Sequence, residues 1–138
     1  MEFIQTKISE VILIKPDVIE DRRGYFIESY HIEKYTIGGI KCKFVQDNHT
    51  KSVQNTLRGL HFQVNFPQAK LLRCLKGKVF DVAVDIRKSS PTLKIVNSKL
   101  LASPTIVLGK ERELVLTSIC ETGSYPYPDS AILTEGSS

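Results

Sequence analysis

Residues 70–86, KLLRCLKGKVFDVAVDI, contain two alternating runs of apolar and polar residues on either side of a glycine. Alternation with a period of two is typical of half-buried strands, and glycine adopts the positive φ of a tight turn without steric cost. The segment Lys76-Gly77-Lys78 is therefore predicted to be a hairpin turn. Strand alternation divides the second run between two faces. One face is apolar and expected to pack, and it consists of Phe80, Val82, Val84 and Ile86. The other face carries two carboxylates and consists of Asp81, Ala83 and Asp85.

Short runs of the same kind recur along the chain between turn signals, at residues 2–8, 11–16, 24–30, 41–48, 94–101 and 113–119. Helical periodicity is visible only within residues 28–38, where a short helix is predicted near residues 31–36. The sequence contains no internal repeat and no low-complexity linker. The pattern predicts an all-β fold of antiparallel strands, a sandwich or barrel, formed by one domain over residues 1–138.

The composition limits the classes of function. The chain has 138 residues, 41% of them hydrophobic, and a net charge of +4 that is spread along its length. This charge favours anionic ligands weakly and indicates no nucleic-acid-binding arm. The N-terminus lacks the apolar core of a signal peptide, and no apolar run reaches the ~20 residues of a membrane helix. The cysteines, without CxxC spacing, are expected to be buried thiols of a cytoplasmic protein: Cys42, Cys74 and Cys120.

His61, in the segment RGLHFQ at residues 58–63, has three possible roles: a buried core residue, a metal ligand or a catalytic base. A metal site needs several convergent ligands, and the only other histidines in the sequence are His31 and His49, so no metal is expected. A general base needs one imidazole and an electrophilic partner for the charge that it creates. Lys70 can be that partner if its strand pairs beside the strand of His61.

Neutral and cationic side chains accompany His61. Strand alternation places Gln46 and Asn48 on one face, with Asp47 free to face away, and it places Gln63 with His61. Arg23 and Arg58 adjoin glycines in strand-like sequence, as phosphate-binding arginines often do, although each can equally be a surface charge. Glu28, Tyr125 and Tyr127 have ordinary structural interpretations: a solvated strand residue and two tyrosines packed on a Pro-rich turn.

Four segments in succession resemble the signatures of the dTDP-4-dehydrorhamnose 3,5-epimerase family: residues 21–30, 44–52, 57–63 and 68–92. The resemblance extends from about residue 10 to residue 93. It implies a cupin-type jelly roll that forms homodimers with an exchanged N-terminal segment. It also implies a cofactor-free and metal-free epimerase, which acts on a 4-keto-6-deoxy sugar linked to dTDP and needs neither nucleic acid nor membrane.

The resemblance also implies roles for individual residues. His61 resembles the base that removes the protons at C3 and C5, and Lys70 the group that stabilises the enolate oxygen. Tyr125, or alternatively Tyr127, falls near the position of the proton donor. The remaining residues resemble substrate contacts, the first two of them supplied by the partner subunit: Arg23, Glu28, Gln46, Asp47, Asn48 and Arg58.

After residue 93 the sequence departs from the family pattern. No histidine follows His61, so the family's second functional histidine is absent, and the carboxylate that orients the base has no clear equivalent, Asp129 being one candidate. An imidazole without such a carboxylate loses control of its tautomer. The expected activity is 3,5-epimerisation of dTDP-4-keto-6-deoxyglucose in deoxysugar and polysaccharide synthesis. The alternatives are an epimerase that inverts one centre, and a sugar-nucleotide-binding cupin with impaired catalysis.

Overall fold

The computed structural model describes residues 1–63, 65, 68–102, 105–109, 114–120 and 129–135. The first half of the chain forms the strands β1 (Glu2–Gln5), β2 (Val11–Lys15), β3 (Val18–Asp21), β4 (Gly24–Ile27), β5 (Phe44–Lys51) and β6 (Leu57–His61). The second half forms β7 (Lys70–Lys76), β8 (Lys78–Asp85), β9 (Val96–Ala102), β10 (Ile106–Gly109), β11 (Leu114–Cys120) and β12 (Asp129–Glu135). The helix α1 (Ile32–Ile37) lies within one residue of its predicted position.

The strands pair antiparallel in two large sheets and one ribbon. The six-stranded sheet has the order β1-β2-β10-β7-β12-β5, and the four-stranded sheet has the order β6-β11-β8-β9. β3 and β4 pair only with each other among the described strands, as a separate two-stranded ribbon. The all-β prediction is confirmed, and the fold is a cupin-type jelly roll.

Two apolar clusters hold the sheets in place. The first lies between the two sheets and joins side chains of both: Ile8, Val11, Leu72, Cys74, Val79, Ala83, Leu101 and Val107. The second lies on the outer face of the six-stranded sheet and is covered by α1: Ile12, Ile14, Tyr35, Ile40, Leu71, Ile106 and Leu108. Alternate residues of β2, β7 and β10 therefore enter alternate clusters, so both faces of this sheet are packed.

The predicted packing of β8 was wrong in its direction. Val79, Asp81, Ala83 and Asp85 are the buried residues of this strand, and they face the space between the sheets. Phe80, Val82 and Val84 are only half-buried, on the outer face of the four-stranded sheet. Alternation identified the two faces correctly, but it contains no information on which face meets the opposite sheet.

The predicted hairpin at Gly77 was also wrong. β7 and β8 belong to different sheets, β7 pairing with β10 and β12, and β8 pairing with β9 and β11. Gly77 has φ +81°, so a glycine is required there as the sequence suggested. The tight turn carries the chain from one sheet to the other.

Cys74 is a buried thiol, as expected, whereas Cys42 is half-buried. Among the described residues, no helix is both long enough and apolar enough to cross a membrane.

A buried ionic network closes the end of β8. The Asp85 carboxylate, fully inaccessible to solvent, accepts hydrogen bonds from Arg87 Nε at 2.9 Å and Nη2 at 2.7 Å, and from Thr92 Oγ1 at 2.6 Å. Arg87 Nη1 donates to Glu10 Oε1 at 2.7 Å and so ties this loop to the segment before β2. The Arg87 guanidinium holds the pKa of Asp85 far below its usual range.

We expect Asp85→Asn to lower the free energy of unfolding by about 3 kcal/mol at pH 7, since it leaves Arg87 without its main buried counter-charge. The pKa of Asp85 is lower in the folded state than in the unfolded state. Its contribution to the free energy of unfolding is therefore complete above the unfolded-state pKa of about 4 and is lost as the pH falls below that value. Urea unfolding at pH 7 and pH 3 measures both effects. Asp21→Asn, at an exposed ion pair, is the control and should change stability much less.

Candidate active site between the two sheets

A β-bulge in β6 places Arg58 and His61 on the same face of the four-stranded sheet. Their separation of three residues would put them on opposite faces of a regular strand. In the structure Arg58 lies opposite Ser118, and His61 lies opposite Leu116. Three steps along β6 thus correspond to two steps along β11, so the bulge holds one extra residue of β6. Ser118 and Leu116 in turn lie opposite Asp81 and Ala83. Because Ala83 belongs to the cluster between the sheets, Arg58 and His61 are on the inner face.

The six-stranded sheet contributes Gln46, Asn48 and Lys70 to its own inner face. Gln46 and Lys70 both lie opposite Thr134, and Asn48 lies opposite Ile132, which is paired with Leu72. Leu72 packs in the cluster between the sheets, so these positions share its face. The sequence prediction that Gln46 and Asn48 point together agrees with this register.

The inner face is polar and open where these residues lie. Gln46, Asn48, Arg58 and His61 are exposed, and Lys70 is half-buried. Sheets that pack face to face are separated by about 10 Å, which leaves room for a ligand where the apolar cluster ends. The inner faces of the two sheets thus carry two cations, two amides and one imidazole, a set that suits an anionic ligand with a group to be deprotonated.

Lys70 reaches this space by a different route from the one predicted. β6 and β7 do not pair, because β7 lies between β10 and β12 in the other sheet. His61 and Lys70 are therefore on the inner faces of opposite sheets, not side by side on neighbouring strands. Burial lowers the pKa of the Lys70 ammonium, which makes it a stronger acid than an exposed lysine.

Two hydrogen bonds organise the polar side chains. Gln46 Nε2 donates to Asn48 Oδ1 at 3.3 Å, which couples the two amides along β5. Arg58 Nε donates to Ser52 Oγ at 3.0 Å. Each sheet thus has one of its polar side chains restrained by a neutral hydrogen-bonding group.

Other predicted residues lie elsewhere. Asp47 is opposite Leu133, which is paired with Leu71 of the outer cluster, so Asp47 is on the outer face. Tyr125 and Tyr127 lie outside the described residues. Asp129 begins β12 opposite Lys51 and Lys76, five residues from the register position of Lys70. At about 3.4 Å per residue it is roughly 17 Å along the strand from the register position of Lys70.

Arg23 and Glu28 lie at the ribbon, apart from the inner face. Arg23 Nη2 donates to Asp21 Oδ2 at 2.6 Å, and Asp21 also accepts from the Arg23 backbone amide at 2.8 Å. Glu28 forms an ion pair with Lys34 of α1. These partners lower the pKa of both Asp21 and Glu28. Within one chain the structure does not bring Arg23 and Glu28 together with His61.

The buried carboxyl of Asp81 is an inner-face group to which sequence analysis gave no role. It is 2% exposed, flanked on its strand by Val79 and Ala83, and its Oδ1 atom has no hydrogen-bond partner among the described residues. Burial raises its pKa to about 7. Its alternation with Asp85 was visible in the sequence, but burial could not be read from it.

In the described part of the chain, no three side chains among His, Cys, Asp and Glu lie close enough together to bind a metal ion. The expectation of a metal-free and cofactor-free site remains a prediction.

An antiparallel jelly roll with polar residues on its inner face defines the chain as a cupin-type protein. Residues 5–106 match the family described as dTDP-4-dehydrorhamnose 3,5-epimerase, and the chain belongs to that family. This confirms the resemblance seen in the sequence.

Relatives agree with this assignment. The chain is 52% identical over 94 residues to the dTDP-4-dehydrorhamnose 3,5-epimerase of Shigella flexneri, an alignment that covers 67% of this chain and 52% of that protein. It therefore spans about half the length of the curated relatives that it matches. The crystal structure of the epimerase from Legionella pneumophila, solved with dTDP-4-keto-L-rhamnose, superposes with a TM-score of 0.90 at 34% identity and covers 99% of this chain and 72% of that one. The enzyme from Bacillus anthracis, solved with TDP and PPi, gives a TM-score of 0.89 at 32% identity and covers 99% and 79%.

We expect Asp81→Asn to stabilise the protein at alkaline pH. Since the folded-state pKa of Asp81 is raised, the ionised form is disfavoured in the fold, and wild-type stability should fall as the pH rises from about 4 through about 7. The variant lacks this penalty, which amounts to about 1.4 kcal/mol for every pH unit that separates the folded and unfolded pKa values. Its melting temperature should exceed the wild-type value at pH 8 by more than at pH 5. An equal difference at both pH values would contradict the burial argument.

Proposed function

We propose that the chain carries the site of an epimerase of dTDP-linked 4-keto-6-deoxy sugars, and that it inverts C3 and C5 of dTDP-4-keto-6-deoxyglucose. The observation that carries the proposal is that His61 and Lys70 lie on the inner faces of opposite sheets. A flat sugar ring between the sheets would have an imidazole on one side and an ammonium on the other.

The chemistry requires this pair. A proton next to a ketone is far too weakly acidic for a free imidazole to remove it, so the enolate oxygen must be stabilised as its charge develops. His61 takes the proton from the carbon, and the Lys70 ammonium donates a hydrogen bond to the oxygen at C4. The lowered pKa of Lys70 strengthens that hydrogen bond, because the acidities of donor and enolate approach each other.

Inversion needs a new proton from the opposite face of the ring. Tyr125 is the proposed donor, with Tyr127 as the alternative, on the basis of the family resemblance alone. Arg58, Gln46 and Asn48 are proposed to bind the nucleotide diphosphate, since a guanidinium and amide N–H groups are suitable donors to phosphate oxygens. Asp47, on the outer face, is the weakest of the proposed substrate contacts.

Isotope exchange in heavy water tests the reaction. With dTDP-4-keto-6-deoxyglucose the protein should incorporate deuterium at both C3 and C5, because each inverted carbon receives a solvent proton. We expect His61→Asn to slow both exchanges by at least about 100-fold while dTDP binding persists. NMR of the sugar protons measures the exchange.

His49→Asn is the matched control. His49 lies on β5 opposite Ala131, which is paired with Arg73, and so is on the outer face, where its loss should leave exchange intact. Exchange at C3 alone would identify an epimerase of one centre. Binding of dTDP without any exchange would identify a catalytically impaired binding protein.

We further propose a cytoplasmic homodimer in which the ribbon of each subunit supplies Arg23 and Glu28 to the site of the other. The outer face of the four-stranded sheet supports a second copy. Phe80 lies opposite Leu100 on one side and Ile119 on the other, and Ile119 lies opposite Leu57. Leu57 is 63% exposed and Leu100 48%, so an apolar row crosses the sheet without cover from the described residues. Ile19, Tyr25 and Phe26 of the ribbon are similarly exposed.

We expect Leu100→Glu to convert the dimer to monomers, because a carboxylate buried in an apolar interface loses its hydration without gaining a partner. Leu93→Glu is the control, since Leu93 is also exposed but lies in the loop before β9. Light scattering after size-exclusion chromatography measures the mass. If Leu100→Glu remains dimeric, this sheet face is not the interface.

A further inference from the structure

The turn between β5 and β6 contains a buried hydroxyl that neither the sequence analysis nor the proposed mechanism uses. Ser52 directly follows β5 and is 6% exposed. The turn after it is closed by Thr56, whose backbone amide and hydroxyl both donate to the Val53 carbonyl, at 3.3 and 2.7 Å. Asn55 has φ +63°, a conformation that asparagine tolerates better than most residues. Ser52 is therefore fixed at the base of a defined turn.

This turn joins the two parts of the site. β5 carries Gln46 and Asn48 on the six-stranded sheet, and β6 carries Arg58 and His61 on the four-stranded sheet. Ser52 Oγ accepts the 3.0 Å hydrogen bond from Arg58 Nε across the turn. The bond fixes the Arg58 Nε atom to the end of β5. It therefore restrains the position of the guanidinium relative to Gln46 and Asn48, which lie on that strand.

The chemistry of the acceptor distinguishes Arg58 from two other arginines. Arg23 is held by the Asp21 carboxylate, and Arg87 by the carboxylates of Asp85 and Glu10. The hydroxyl of Ser52 is neutral, so this contact restrains the Arg58 guanidinium through a hydrogen bond and not through a carboxylate. A guanidinium that is oriented in this way suits a dianionic diphosphate.

We propose that Ser52 is a positioning residue, which orients Arg58 toward the diphosphate of the nucleotide sugar. The role rests on the proposed function, since it requires a nucleotide diphosphate as ligand. Ser52 itself does not contact the reacting atoms. Its contribution belongs to the binding of the diphosphate and not to the transfer of the protons.

Ser52→Ala removes the acceptor with little change in volume. We expect it to weaken dTDP binding about fivefold, since the loss acts on the orientation of Arg58 and not on its contact with the ligand, and to raise KM by a similar factor with kcat nearly unchanged. Ser52→Thr keeps the hydroxyl and should restore affinity to within about twofold. Calorimetric titration with dTDP and, in parallel, with thymidine measures the effect, and thymidine affinity should be the same for every variant.

Thr56→Val is the matched control in the same turn, because the Thr56 hydroxyl bonds to the Val53 carbonyl. It should lower the melting temperature without selective loss of dTDP affinity. A structural role for Ser52 would instead make Ser52→Ala resemble Thr56→Val. Equal dTDP affinity in Ser52→Ala and the wild type would overturn the proposal.

A second measurement separates this proposal from the proposed function. The Nε–H proton of Arg58, observed by ¹⁵N-edited NMR of the protein without ligand, should exchange slowly with water in the wild type and in Ser52→Thr, and at least about fivefold faster in Ser52→Ala. If the wild type does not bind dTDP, the proposed function fails, and unchanged exchange in Ser52→Ala would refute the orientation of Arg58 by Ser52. Faster exchange in Ser52→Ala would support that orientation.

Discussion

The register of β7 between β10 and β12 is the constraint on which the rest of the structure depends. Leu71 enters the cluster beneath α1, whereas Leu72 and Cys74 enter the cluster between the sheets, and Lys70 extends the same inner face. A slip of one residue would exchange these sets and move Lys70 to the outside. The same strand pairing that packs the core on both sides of the sheet therefore also delivers the ammonium to the site.

Register shifts in β5 and β6 also direct polar side chains to the inner faces of the sheets. In β5 the register shifts between Phe44 and Gln46, so that Phe44 packs on the outer cluster while Gln46 faces inward. In β6 the shift lies between Arg58 and His61 and brings both to the inner face. A bulge is a local cost to pairing, and each of these two bulges redirects a polar side chain into the space between the sheets.

Much of this arrangement could be predicted from the sequence, and the exceptions have physical causes. Alternation predicted the strands and the common face of Gln46 and Asn48, because strand periodicity is a local property. It gave the wrong buried face for β8, because both faces carry apolar residues and only the opposite sheet decides which is inside. It also paired β7 with β8, since a glycine turn between two strands appears the same in sequence whether the strands share a sheet or not. The bulges of β5 and β6 leave no signal that alternation could detect.

The one-residue connection at Gly77 has a consequence for how such a site can diversify. β7, which carries Lys70, and β8, which carries Asp81, are joined by one glycine at φ +81°. An insertion at Gly77 would move β7 and β8 apart, and would therefore disturb the apolar cluster between the sheets as well as the site. The connection from β5 to β6 has five residues, and its tip at residues 53–55, beyond the buried Ser52, is exposed and tolerates changes of length more readily. We therefore expect sequence changes that alter the size of the accepted ligand to occur at that turn, while the short connection at Gly77 keeps the spacing of the two sheets constant.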